Sequence, residues 1–238
     1  MRSTLSSLTL AAALLLTACA DRGDNDAVWQ SVDVRPDQFA LLPCGDTRRH
    51  ACTLVIAGGK RLLFGAPAGA AKSMRPEDLR HLDAVMIFSL AANDLEGLDE
   101  VRNASWHAGR SEQLRVIGPM GLEEVVTALN KAYEQADALF VVRNGIPPGG
   151  YDAAIITALT ASSGQIVFDT GDLTVRRIAS GYVVEYADTG AVRLQACREH
   201  DKSSRRDEPL QTTLSIGCEA SENDFVWPMA KPIFVSEN

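Results

Sequence analysis

The chain has 238 residues, 46% of them hydrophobic and 23% charged, with a formal net charge of −8. That balance excludes a disordered or a membrane-embedded protein, and the length suits one domain with a substantial core. A net negative surface repels phosphate backbones, so nucleic acid is excluded as the expected partner; the one basic run, Arg198 to Arg206, is interleaved with Glu199 and Asp201 and reads as a solvated loop.

Met1-Arg2 forms a short positive start, and Leu5 to Leu16 is an apolar run too short to span a bilayer comfortably. The run ends in Leu16-Thr17-Ala18-Cys19, which resembles the lipobox of bacterial lipoproteins. That resemblance implies removal of residues 1–18, lipidation of Cys19 and a membrane partner through the acyl chains. Ala20, in place of Asp, points to the periplasmic face of the outer membrane. Residues 19–27 read as lipidated Cys and flexible tether, and residues 28–238 as a single domain. Export places that domain in an oxidising compartment. Its four cysteines, Cys44, Cys52, Cys197 and Cys218, allow three pairings. Proximity in the chain favours Cys44–Cys52 and Cys197–Cys218. A zinc site from Cys44, His50 and Cys52 with Cys197 or His200 stays open beside it, although C-x5-H-x-C is not a usual zinc spacing.

In chain order, residues 27–43 predict one strand and a loop. Thr53–Ala57 and Lys60–Phe64 are apolar runs joined by Gly58-Gly59, which predicts a tight hairpin. Pro76–Leu82 opens with Pro and two acids and predicts a short helix. Ala84–Phe88 is a strand, followed by a polar turn. From Asp94 a helix carries Leu95, Leu98 and Val101 on one face, with Asn93 and Asp94 as a capping pair. Leu114–Ile117 is a strand, Gly121 to about Ala136 a long helix, and Ala138–Val142 a further strand. Strands follow at about 153–159, 165–168, 173–178, 181–187, 191–196 and 212–217, and the Pro-broken tail predicts no element. The order implies an α+β or α/β sandwich.

From Cys52 to Ala136 the chain resembles the ribonuclease Z-like branch of the metallo-β-lactamase superfamily. CTLVIAGGKRLLFGAPAG is similar to that branch's opening hairpin. LRHLDAVMIFSLAANDLEGLDEVR is similar to its metal-binding strand–turn–helix. LRVIGPMGLEEVVTALNKAY is similar to its strand, Gly-Pro-x-Gly and helix, and GYVVEYADTGAVRLQAC to a later strand pair. The resemblance implies an α+β, metallo-β-lactamase-like αββα sandwich of mixed sheets flanked by helices, shortened in its second half. In the active family, the turn after the strand binds two zinc ions that activate a water. Here the corresponding positions are Ser89, Ala91, Asn93 and Asp94, and only Asp94 is a good metal ligand. His50, His81, His107 and His200 fall at none of the family's ligand positions. No cofactor is expected. The implied role is that of a pseudoenzyme: a cell-envelope lipoprotein that binds or scaffolds an envelope protein or small ligand. The alternative is a metal-dependent phosphodiester or ester hydrolase with a rebuilt site from Asp94, His107, Cys197 and His200. Ser89 lacks the glycines of a nucleophile elbow, so serine catalysis is not expected.

Overall fold

A computed structural model describes residues 32–44, 50–187, 189–196, 214–218 and 224–236. The segment that resembles a lipobox, with Cys19, the expected tether, Cys197 and His200, lies outside the described residues.

Two sheets face each other. In the first, the strands run β13-β1-β2-β3-β4-β5-β6; in the second, β12-β11-β10-β9-β8-β7. β1 (Phe39–Pro43) pairs antiparallel with β2 (Thr53–Ala57), and β2 turns back into β3 (Lys60–Phe64). Gly58 and Gly59 take φ of 56° and 73° at that turn, a region that costs glycine no Cβ clash. From β3 onward the sheet is parallel: β3, β4 (Ala84–Met86), β5 (Leu114–Gly118) and β6 (Ile156–Thr160) run the same way. These four strands therefore have a common start and a common end.

The second sheet comprises β7 (Ile166–Asp169), β8 (Leu173–Ile178), β9 (Gly181–Tyr186), β10 (Gly190–Gln195), β11 (Leu214–Gly217) and β12 (Asp224–Val226). β7 to β10 form an antiparallel meander, and β11 and β12 add parallel strands. Between the sheets, Phe64, Met86 and Ile117 of the first pack against Val175, Tyr182, Val184 and Leu194 of the second. On the other face of the first sheet, Leu54, Leu63, Val85 and Val116 meet Leu79 of α1 (Pro76–Arg80), Leu98 and Val101 of α3 (Leu98–His107), and Leu122 and Val126 of α4 (Leu122–Asn144). α2 (Ala92–Leu95) is a single turn. Period-2 alternation in the strands and 3.6-residue spacing in the helices thus build two apolar layers on one sheet.

Three expectations are corrected. Ala138–Val142 is not a strand; it continues α4 to Asn144, and Gly145 at φ 83° ends it. No Pro or Gly interrupts the ladder before that point, Phe140 and Val141 pack on Trp106, and Asp137 forms a buried ion pair with Arg102 of α3 (Nη1–Oδ1 2.6 Å). The tail holds strands β12 and β13 (Ile233–Val235), and β13 pairs with β1. The helix expected from Asp94 is two elements, broken at Gly97. A Cβ there would lie 2.1 Å from the Pro67 carbonyl oxygen, so the backbones of the two loops touch where only glycine fits.

Cys44 and Cys52 are joined by a disulfide, with Cα atoms 5.2 Å apart. That bond commits both sulfurs and removes the zinc alternative that used them. Cys218 is also disulfide-bonded.

Candidate functional site

β4 ends and hands the chain to the turn that resembles a metal-binding loop. The turn is anchored on three sides by backbone: Gly65 N–H donates to the Met86 carbonyl (2.8 Å), Ala66 N–H to the Asp94 carbonyl (2.9 Å), and Ile87 N–H to the Ile117 carbonyl (2.7 Å). Gly97 N–H returns a bond to the Ala66 carbonyl at 2.8 Å. The scaffold of the turn is therefore complete.

Its side chains are arranged differently from the sequence expectation. Asn93 and Asp94 do not cap; they lie inside α2, whose N-cap is Ala91 with no side-chain cap bond. Ser89 Oγ donates to Asp94 Oδ2 and accepts from Ala91 N–H at 3.2 Å, so one hydroxyl bridges the turn and the carboxylate. Asn93 and Ala91 are exposed, whereas Asp94 is 8% exposed. Burial pushes the Asp94 carboxyl above its ordinary range, against the opposing pull of the Ser89 hydrogen bond and of nearby His50 and Arg177.

Arg177 had no place in the sequence expectation. It comes from β8 in the opposite sheet and is 7% exposed. Its Nη1 donates to the Ile87 carbonyl (3.0 Å) and its Nη2 to the Phe88 carbonyl (2.8 Å). Tyr182 of β9 lies beneath, its ring centroid 4.7 Å from the guanidinium carbon. Its hydroxyl donates to the Ile87 carbonyl at 2.8 Å and also reaches the Ile117 carbonyl at 3.2 Å. Burial pushes the Tyr182 phenol up to about 12, with Arg177 pulling the other way. Phe64 and Phe88 meet the same ring edge-on at 5.5 and 5.6 Å. The carbonyl ends of β4 and β5 are thus closed by a protein-borne cation and a phenol. The only sequence signal was an arginine at a strand position beside inward-facing Val175, with nothing local to identify its partners.

The two zinc ions implied by the resemblance do not fit these residues. Ala91 offers a methyl group, Asn93 an exposed neutral amide, and Ser89 a hydroxyl already spent on Asp94. The fixed charge of Arg177 also opposes a second cation close by. Among the described residues, no group of three or more His, Cys, Asp or Glu is gathered to hold a metal ion. Of the four residues of the rebuilt site, Asp94 and His107 are among the described residues, and they stand on separate helices, α2 and α3. His107 is at the far end of α3, about 14 Å along that helix from Leu98, and stacks on Phe140 at 3.8 Å. His81 is exposed and pairs with Glu77 at 2.9 Å.

This architecture is the metallo-β-lactamase fold. The Bacillus subtilis metallo-β-lactamase fold protein YhfI superposes with a TM-score of 0.50 at 14% identity, over 76% of this chain and 70% of that one. The short form of human tRNase Z superposes with a TM-score of 0.51 at 12% identity, over 75% of this chain and 76% of that one. No family model matches the sequence, and no curated protein does. At these identities the similarity is one of fold.

Proposed function

We propose that this protein is a lipid-anchored cell-envelope protein whose metallo-β-lactamase-like domain binds or scaffolds and does not catalyse. On this reading residues 1–18 are removed, Cys19 carries the lipid, residues 19–27 form the tether and residues 28–238 the domain, at the periplasmic face of the outer membrane. The partner is an envelope protein or small ligand. The observation that carries the non-catalytic reading is the Arg177 guanidinium bonded to the Ile87 and Phe88 carbonyls, beside an Asp94 already bonded to Ser89. That arrangement replaces a metal-binding set with a closed internal network. The Leu16-Thr17-Ala18-Cys19 sequence supports the anchor, and the Cys44–Cys52 disulfide fits an oxidising compartment.

Two measurements on the full-length protein, expressed in a Gram-negative host, test this. Labelled palmitate is expected to enter the wild-type protein and to be lost in Cys19→Ala; a soluble, unlabelled wild-type protein would overturn the anchor. Elemental analysis is expected to find zinc and iron well below stoichiometry. Stoichiometric metal that disappears in Asp94→Asn would overturn the non-catalytic reading.

A further inference from the structure

The four parallel strands have a second end, and it is open. A cavity of about 800 Å³ lies where β3, β4, β5 and β6 begin, between the first sheet and the edge strand β7 of the second. That volume falls within the range of small-molecule sites, roughly 300–1,000 Å³. The register explains why the sheets part here. Ala84, Arg115 and Thr157 are level across β4, β5 and β6. Arg115 is two residues before Ile117, which packs between the sheets, so Arg115 takes the same face and puts a cation where the apolar layer would continue. Thr157 extends that polar step onto the edge strand, and both residues are exposed.

The charges lining this cavity fall into two groups. Some are committed. Arg110 bonds through all three nitrogens, to Ser105 Oγ (3.1 Å), the Glu112 carbonyl and the Ala153 carbonyl (2.8 Å). Lys60 pairs with Asp83 at 3.0 Å, and Asp169 accepts the Gly171 N–H at 2.7 Å. Arg80 and Arg115 are not committed: neither has a side-chain hydrogen bond or ion pair among the described residues. Two free guanidinium groups thus face one cavity, together with the exposed carboxylate of Glu112, in a protein of net charge −8. Ile166, 44% exposed, and half-buried Phe168 supply an apolar wall opposite them. A guanidinium fork matches the tetrahedral oxygens of a phosphate, and an aromatic and aliphatic wall matches a flat organic body.

We propose that this cleft is a binding site for an organic phosphate ester of nucleotide size, with Arg80 and Arg115 holding the phosphate and Ile166 and Phe168 the organic portion. The site stands apart from the lipid anchor and from the loss of metal ligands, and would serve the domain whether or not either holds. It is at the end of the strands opposite Ser89 and Asp94.

Isothermal titration of the full-length protein with adenosine 5′-monophosphate, inorganic phosphate and adenosine tests it. The monophosphate is expected to bind, phosphate alone to bind more weakly, and raised salt to weaken both. Arg115→Gln is expected to weaken the monophosphate about tenfold, the loss of one charge-assisted hydrogen bond, and Arg80→Gln by a similar factor. Ile166→Asn should weaken the monophosphate and leave inorganic phosphate unchanged. Asp94→Asn, at the other end, should leave both unchanged. No monophosphate binding up to about 10 mM, or binding indifferent to both arginine substitutions, would overturn the proposal. So would equal weakening by Asp94→Asn. Circular dichroism of each variant separates lost binding from lost folding.

Discussion

The two ends of the parallel strands use arginine in opposite ways. At the ends of β4 and β5, Arg177 is buried, bonded to two backbone carbonyls and stacked on Tyr182. At the starts of β5 and of the β4 connection, Arg115 and Arg80 are exposed and uncommitted. A guanidinium whose donors are consumed by main-chain acceptors is structural; one whose donors face an open cavity is available to a ligand. The end that resembles a metal-binding site is therefore the closed one, and the end without a family signature is the open one. In open parallel sheets ligands commonly bind beyond the carboxyl ends of the strands. In this chain that position is filled from within.

The comparison can be broken by substitution. Arg177→Met should have the largest effect, since it leaves the buried Phe88 carbonyl without its donor and takes one of two from Ile87. A loss of about 3 kcal/mol is expected in urea unfolding, the scale of hydrogen bonds to a charged group. A change below about 0.5 kcal/mol would show the closure to be decorative. Tyr182→Phe should cost less, about 1 kcal/mol, because Arg177 still serves Ile87 and the Ile87 N–H still serves the Ile117 carbonyl.

Asp94 gives a smaller, pH-dependent effect. Its carboxyl holds a proton above the ordinary value of 3.8. The folded state then binds more protons than the unfolded chain between 3.8 and the raised value, so this group's contribution to stability falls as pH rises through that window. Asp94→Asn should remove that slope, so thermal unfolding of wild type and variant should diverge across the window and run parallel above it. A wild type that gains stability over the variant as pH rises there would reverse the sign and place Asp94 in a stabilising ion pair. The smallest effect belongs to the open end: Arg115→Gln and Arg80→Gln should shift unfolding by no more than about 0.5 kcal/mol, as exposed residues without partners do. A large loss in either would make the open end structural and erase the contrast.

Much of the fold was legible because its signals are local. The β2–β3 hairpin was readable from two apolar runs and Gly58-Gly59, since a tight turn needs positive φ at adjacent residues. The β4 strand and the apolar face of Leu98 and Val101 followed from spacing alone, and so did most of the β7–β10 meander. The candidate site was half legible. Ser89, Ala91, Asn93 and Asp94 were readable as positions, because a strand–turn–helix is set by neighbours in the chain. Their interactions were not: the expected capping by Asn93 and Asp94 gave way to a Ser89–Asp94 bond.

What the sequence alone determined, then, is the series of short elements and the residue types in the turn after β4, because propensity, turn chemistry and side-chain identity reside in consecutive residues. Only the tertiary structure decided the rest. An apolar run such as Ala138–Val142 suits helix or strand, and it became helix because the ladder from Leu122 meets no breaker and Phe140 and Val141 find Trp106. Arg177 reaches acceptors 90 and 89 residues away, and β13 pairs with β1 across almost the whole chain. The open cleft likewise depends on Arg115, Thr157 and Ile166 meeting from separate strands. Contacts at that separation are set by how two sheets stack, and no local pattern carries that information.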